Sequence, residues 1–170
     1  IIDFGKTPIY VRSQSDLLKC DALIIPGGES TVMSKMLDFN NLREAILDLK
    51  DKINIMGVCA GMVLLSKTNG YANLETLSIM DFEVERNGFG RQINSFKSNI
   101  KFLPSNDNIE VSFIRAPKIS SFSEQVECLA EFKGKPVMVS NGRHIACSFH
   151  PEFSPNNAIY EYFSNLIEVS

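Results

Sequence analysis

The chain has 170 residues, long enough to bury one hydrophobic core without covalent staples and too short for an array of linker-joined modules. It is 44% hydrophobic and 22% charged, with ten Gly and seven Pro, which excludes a disordered or collagen-like chain. Seventeen basic against 20 acidic residues leave a net charge of -3 and no surplus cations for a phosphate backbone, so neither nucleic acid nor an anionic membrane is an expected partner.

The opening residues, Ile1 to Lys6, lack the basic start and apolar run of a signal peptide, and no apolar stretch approaches the roughly 18 residues that span a bilayer. A cytoplasmic location is expected. Ile9-Tyr10-Val11 is the first strand-like segment. Asp21 to Pro26 and Ile53 to Val58 are short apolar runs bounded by turn residues, the pattern of strands buried on both faces. Between them, Val32, Met33, Met36 and Leu37, then Leu42, Ala45, Ile46 and Leu49, recur at spacings of three and four. They predict a core-facing stripe on one helix, or on two separated near Asn40-Asn41. A further helical pattern covers Gly61 to Ser66, so the first half alternates strand and helix as a parallel sheet requires. After about Leu77 the runs become strand-like: 82–85, 111–114, 126–130, 137–140 and 144–147, with Asn141-Gly142 as a hairpin signal between the last two. Ala158, Ile159, Tyr162, Phe163, Leu166 and Ile167 predict a closing amphipathic helix. The expected fold is α/β, a single domain with a mostly parallel mixed sheet.

Four widely spaced cysteines, Cys20, Cys59, Cys128 and Cys147, form no C-x-x-C pair and read as reduced thiols. His144-x-x-Cys147-x-x-His150 has metal-like composition, but on a strand its odd spacing sends Cys147 to the face opposite both histidines, so no metal site is expected. Cys20, Cys128 and Cys147 read as small buried hydrophobes. Cys59 differs. Gly57-Val58-Cys59-Ala60-Gly61 has the form G-x-C-x-G between a buried strand and a helix, the thiol version of a nucleophile elbow. On so sharp a turn a side chain at either flanking Gly would obstruct neighbouring backbone, and the following helix aims N–H groups at the sulfur, favouring thiolate.

A thiol nucleophile needs a base and a group to orient that base. In Phe149-His150-Pro151-Glu152 the proline biases His150 toward extended backbone, where His150 and Glu152 point the same way. The carboxylate can then accept a ring N–H and stabilise the imidazolium. His144 has no such companion. The first buried strand ends in Pro26-Gly27-Gly28-Glu29-Ser30-Thr31, at the same carboxyl edge as the elbow, so the N–H groups of Gly28 and Ala60 are candidates for an oxyanion hole. Arg86 and Arg115, beside strand ends, are candidates to bind a substrate carboxylate.

Pro-Gly-Gly-Glu-Ser-Thr at 26–31, Gly-Val-Cys-Ala-Gly at 57–61 and Phe-His-Pro-Glu at 149–152 together resemble a class I glutamine amidotransferase domain. Glu85-Arg86-Asn87-Gly88-Phe89-Gly90-Arg91-Gln92, Ser95-Phe96 and Phe113-Ile114-Arg115-Ala116-Pro117 narrow the resemblance to the glutaminase subunits of pyridoxal 5'-phosphate synthase. The resemblance implies a three-layer sandwich that hydrolyses L-glutamine to glutamate and ammonia, with the ammonia passed to a synthase catalytic subunit that builds the vitamin B6 ring. It implies Cys59 as nucleophile, His150 as base and acid, and Glu152 as orienting carboxylate. It also implies glutamine contacts from Gly27, Gly28, Glu29 and Ser30, from Arg86, and from Ile114 and Arg115, and it calls for no metal or organic cofactor. Val58 and Phe153 depart from the family's usual residues without touching a catalytic role. The resemblance further implies an opening strand and helix of roughly 20 residues that are expected to be lacking from this sequence. The competing expectations are a DJ-1-like or peptidase-like cysteine protein sharing a Cys elbow, and a catalytically silent interaction subunit.

Overall fold

In the computed structural model, residues 1–69, 74–85 and 95–169 are described. Strand β1 (Ala22–Ile25) leads into helices α2 (Ser30–Phe39) and α3 (Leu42–Leu49), after a short helix α1 (Gln14–Leu17). Strand β2 (Asn54–Val58) then turns directly into α4 (Ala60–Leu65). The second half is mainly strand: β3 (Ser66–Asn69), β4 (Met80–Glu85), β5 (Ser95–Phe102), β6 (Asp107–Ile114), β7 (Lys118–Phe122), β8 (Glu127–Phe132), β9 (Lys135–Ser140) and β10 (Ile145–Cys147), before helix α5 (Ala158–Val169).

Seven strands form one sheet in the order β1-β2-β10-β9-β8-β5-β6, and β3, β4 and β7 form a second. The α/β class is as expected. In the larger sheet parallel pairing is confined to β1, β2 and β10, and the remaining neighbours are antiparallel. The Asn141-Gly142 signal marks the β9–β10 hairpin: Gly142 takes φ 86°, and the Asn141 side-chain oxygen accepts the N–H groups of Arg143 and His144.

The central strands bury alternate residues on opposite faces, as a period of two demands. Leu23, Ile25, Ile55 and Ala146 join one core cluster with α3, α4 and β4. Met56, Val58, Ile145 and Cys147 join the other, with Ile159 and Phe163 of α5. Helices or a second sheet on one side and α5 on the other make the three layers. The second cluster holds an aromatic group in which Phe113 stacks on Phe96 at 4.8 Å and meets Phe149 edge-on at 5.9 Å.

Three expectations are corrected. The helix pair does break at Asn40-Asn41, where Asn41 takes φ 53°, but Val32 and Met36 are 54% and 49% exposed and lie outside the core. α2 is turned instead so that Ser30 and Ser34 are buried, because Ser34 accepts a hydrogen bond from buried Arg43 and donates one to the Glu75 carbonyl at 2.7 Å. Met33 and Leu37 of the expected stripe still pack on the core, so the buried face of α2 combines two serines with two apolar residues. Ile9-Tyr10-Val11 is not a strand: β1 is an edge strand that pairs only with β2 among the described residues, the segment forms no ladder with it, and Tyr10 is exposed. A groove of about 1150 Å³ runs here between residues 1–11, β1 and the end of α5. β3, β5 and β7, which the apolar runs did not mark, also form.

Candidate active site

The parallel trio β1-β2-β10 carries three motifs, far apart in sequence, to one carboxyl edge. Ile25 pairs with Gly57, and Gly57 with Ala146, so the chain leaves β1 into Gly27-Gly28, β2 into Cys59, and β10 toward His150 at neighbouring positions.

Cys59 occupies φ 51°, ψ −102°, a conformation rare for a side-chain-bearing residue and characteristic of a strained elbow. The turn is held by the Cys59 N–H donating to the Cys147 carbonyl at 2.8 Å and by Val63 N–H donating to the Cys59 carbonyl at 3.2 Å. Both flanking glycines are sterically required. A Cβ at Gly57 would sit 2.7 Å from the Gly61 carbonyl oxygen, and one at Gly61 would run into the carbonyl of Ile25. Cys59 is 7% exposed, and its sulfur lies 3.8 Å from the Ile114 carbonyl oxygen.

His150 is an extended residue whose N–H donates to the Ser112 carbonyl at 2.8 Å. Its Nδ1 lies 2.7 Å from Glu152 Oε1. Hydrogen bonding to Cys59 first, and to Glu152 second, raises the imidazole from its ordinary value to about 9, against an opposing effect of burial. With Nδ1 taken by the carboxylate, Nε2 is the nitrogen left for the sulfur. For Glu152, burial is the largest single effect and works upward, but the His150 hydrogen bond, a backbone hydrogen bond and attraction to the His150 ring together hold the carboxyl below its usual range. Phe153 packs obliquely on the imidazole at 5.9 Å.

The other thiols are structural in setting. Cys147 is fully buried and its thiol is pushed far up by desolvation, whereas Cys20 and Cys128, expected to be buried too, are only half-buried, with desolvation raising their thiols. His144 serves the backbone: its Nδ1 accepts the Ile55 N–H at 3.1 Å, and burial lowers its imidazole to about 4. Its Nδ1 is thereby occupied, and no group of three or more His, Cys, Asp or Glu among the described residues is arranged to hold a metal ion.

Of the remaining sequence-derived candidates, Gly27 lies against the His150 ring, and Gly28 follows it in the β1–α2 turn. Glu29 caps α2, its carboxylate accepting the N–H groups of Thr31 at 3.1 Å and Val32 at 2.7 Å. Ser30 is buried at the first turn of α2, and Ala60 opens α4 immediately after the sulfur. Ile114 turns its carbonyl toward Cys59, and Arg115 beside it is exposed with φ 45°. Arg86 and the motif from Asn87 to Gln92 lie outside the described residues. Sequence reasoning missed Ser112 and Cys147, which anchor the base and the nucleophile through main-chain carbonyls. Carbonyl roles leave no residue-type signature.

A thiol on a strained strand-to-helix turn, facing an imidazole oriented by a carboxylate, is an arrangement for nucleophilic acyl transfer. The chain belongs to the SNO glutamine amidotransferase family, whose model matches residues 3–169. Among its relatives are proteins named pyridoxal 5'-phosphate synthase subunit PdxT. That of Oceanobacillus iheyensis is 42% identical over 167 residues, 97% of this chain and 84% of the relative. That of Tropheryma whipplei is 43% identical over 161 residues, 93% of this chain and 85% of the relative. A crystal structure of a glutamine amidotransferase matches with a TM-score of 0.92 at 33% identity, covering 98% of this chain and 89% of that one.

Proposed function

We propose that this chain hydrolyses the side-chain amide of L-glutamine with Cys59 as nucleophile, His150 as base and acid, and Glu152 as the group that orients the ring. The observation that carries the reading is His150, its Nδ1 held 2.7 Å from Glu152 at the sheet edge that also presents Cys59 on its strained turn. His150 takes the thiol proton, and sulfur attacks the amide carbon to form a C–S bond and a tetrahedral oxyanion. The N–H groups of Gly28 and Ala60 receive that oxyanion. Its collapse breaks the C–N bond, with His150 returning the proton to the departing ammonia. Water, deprotonated by the same imidazole, then cleaves the glutamyl thioester and regenerates the thiol. Every step is a proton or acyl transfer, so the cycle calls for no metal or organic cofactor.

In this reading Gly27, Gly28, Glu29, Ser30, Arg86, Ile114 and Arg115 line the glutamine site. Because the Glu29 carboxylate caps α2, its contribution comes from the main chain. The ammonia goes to a pyridoxal 5'-phosphate synthase catalytic subunit in a cytoplasmic hetero-oligomer. Support for this comes from the relatives named PdxT. No helix among the described residues is long and apolar enough to cross a membrane. Residues 1–170 form one glutaminase domain.

Ammonia release from glutamine, measured for wild type and Cys59→Ala with and without the synthase partner, tests the reading. Wild type is expected to be slow alone and faster with the partner, and the variant to fall by about 10³-fold or more. Equal release by the two proteins would sink the mechanism.

A further inference from the structure

Gly27 stands in the turn after β1, and its φ does not fall in the left-handed region that favours glycine, unlike that of Gly5, Gly134 or Gly142. Conformational freedom therefore does not explain why the position lacks a side chain. Space does. A Cβ built on Gly27 would collide with Cε1 of His150 and would stand 3.2 Å from both Nδ1 and Nε2. Cε1 is the ring atom between the two nitrogens, so the bare Cα of Gly27 backs the edge of the imidazole that carries both of its working atoms.

The ring has little room to retreat. Its backbone is tied to Ser112, its Nδ1 to Glu152, and its face to Phe153. Pushing it away from Gly27 would disturb the Glu152 contact and shift Nε2 as well, because both nitrogens move with the edge. We propose that Gly27, besides lining the glutamine site with its main chain, is a positioning residue for the catalytic base, its bare Cα packing closely on His150. The catalytic half of this inference rests on the proposed triad, whereas the packing half does not.

The test is a double-mutant cycle in the full chain with its synthase partner available: wild type, Gly27→Ala, His150→Ala and Gly27→Ala/His150→Ala. If the methyl group acts through the ring, Gly27→Ala lowers the melting midpoint by about 4 °C or more in wild type, and by less than half as much where the ring is absent. Failure of Gly27→Ala to fold, with recovery in the double variant, is the same result in stronger form. Two histidines allow the ring signals to be followed separately by NMR. The His150 midpoint is expected to move from about 9 toward about 6.5 in Gly27→Ala, with His144 unchanged. kcat should fall at least about tenfold while KM changes less than about threefold, since the base and not the substrate contact is displaced. Equal destabilisation in both backgrounds, misfolding in both, an unmoved His150 midpoint, or a loss confined to KM would each overturn the proposal. A wild type that releases no ammonia with its partner, while the stability coupling and the His150 shift are present, would remove the glutaminase reading and leave the packing role standing.

Discussion

His150 meets three demands with one ring: a sulfur on one side, a carboxylate on Nδ1 and a glycine against the edge between its nitrogens. In the proposed cycle the carboxylate keeps Nδ1 protonated and so fixes which nitrogen exchanges a proton with Cys59. Glu152→Gln keeps the shape but removes the charge. It is expected to lower the His150 midpoint from about 9 and to reduce kcat for ammonia release by about 10- to 100-fold, read by NMR titration and steady-state kinetics. The raised imidazole also makes stability depend on pH in a defined direction. The group binds its proton more tightly folded than unfolded, so its contribution is fully present below about pH 6.5 and is lost as pH rises through about 9. Urea midpoints should fall across that window in wild type, by an amount worth at most about 3 kcal/mol, and the fall should be absent in His150→Ala.

The elements that present these residues depend on close backbone approach. α4 can begin immediately after Cys59 only because Gly61 has no Cβ to strike the Ile25 carbonyl, which also locks α4 against β1. Gly61→Ala is expected to destabilise the fold by about 1–3 kcal/mol in denaturant titrations and to reduce glutaminase activity by displacing the elbow. α2 shows a different balance. Its apolar residues alone predict burial of Val32 and Met36, yet buried Arg43 reaches from α3 to Ser34, to the Thr76 carbonyl and to Asp38, and the helix turns its serines inward. A buried guanidinium must be paired, and that requirement outranks one or two methyl-rich contacts. Arg43→Met should therefore destabilise the α2–α3 pair, by about 1–3 kcal/mol in urea unfolding, despite being more hydrophobic.

Across the whole molecule, the seven-stranded sheet curls until its far strand, β6, returns to the site edge. Ser112 bridges to His150, and Ile114 faces Cys59, although β9, β8 and β5 lie between β10 and β6 in the sheet order. The aromatic cluster holds that curl, with Phe113 of β6 packed against Phe149, the residue before His150. Phe113→Ala is expected to cost about 3–5 kcal/mol of stability and to lower activity as well, since Ser112 is its neighbour on the strand. Unfolding followed by circular dichroism, beside the ammonia assay on the remaining folded protein, separates the two effects.

Local chemistry was legible in the residues themselves. G-x-C-x-G, the proline between His150 and Glu152, and the Asn-Gly hairpin each have short-range steric causes, and the structure shows the elbow, the turn and the His–Glu pair, the last made across a 3-10 turn at Pro151–Phe153 rather than along an extended segment. The alternating α/β first half followed from hydrophobic period, which reports whether one face or two are buried. What lay beyond reach depends on partners distant in the chain. Ile9-Tyr10-Val11 has strand composition but no ladder, β5 and β7 pair despite few apolar residues, and the carbonyls of Ser112, Ile114 and Cys147 serve the site without any residue-type signature. The sequence by itself determined which groups could react. Only the tertiary structure decided which of them meet, because strand pairing and the curl of the sheet are set by packing between segments distant in the chain, as when β10 pairs with β2 and the His150 loop closes on Gly27.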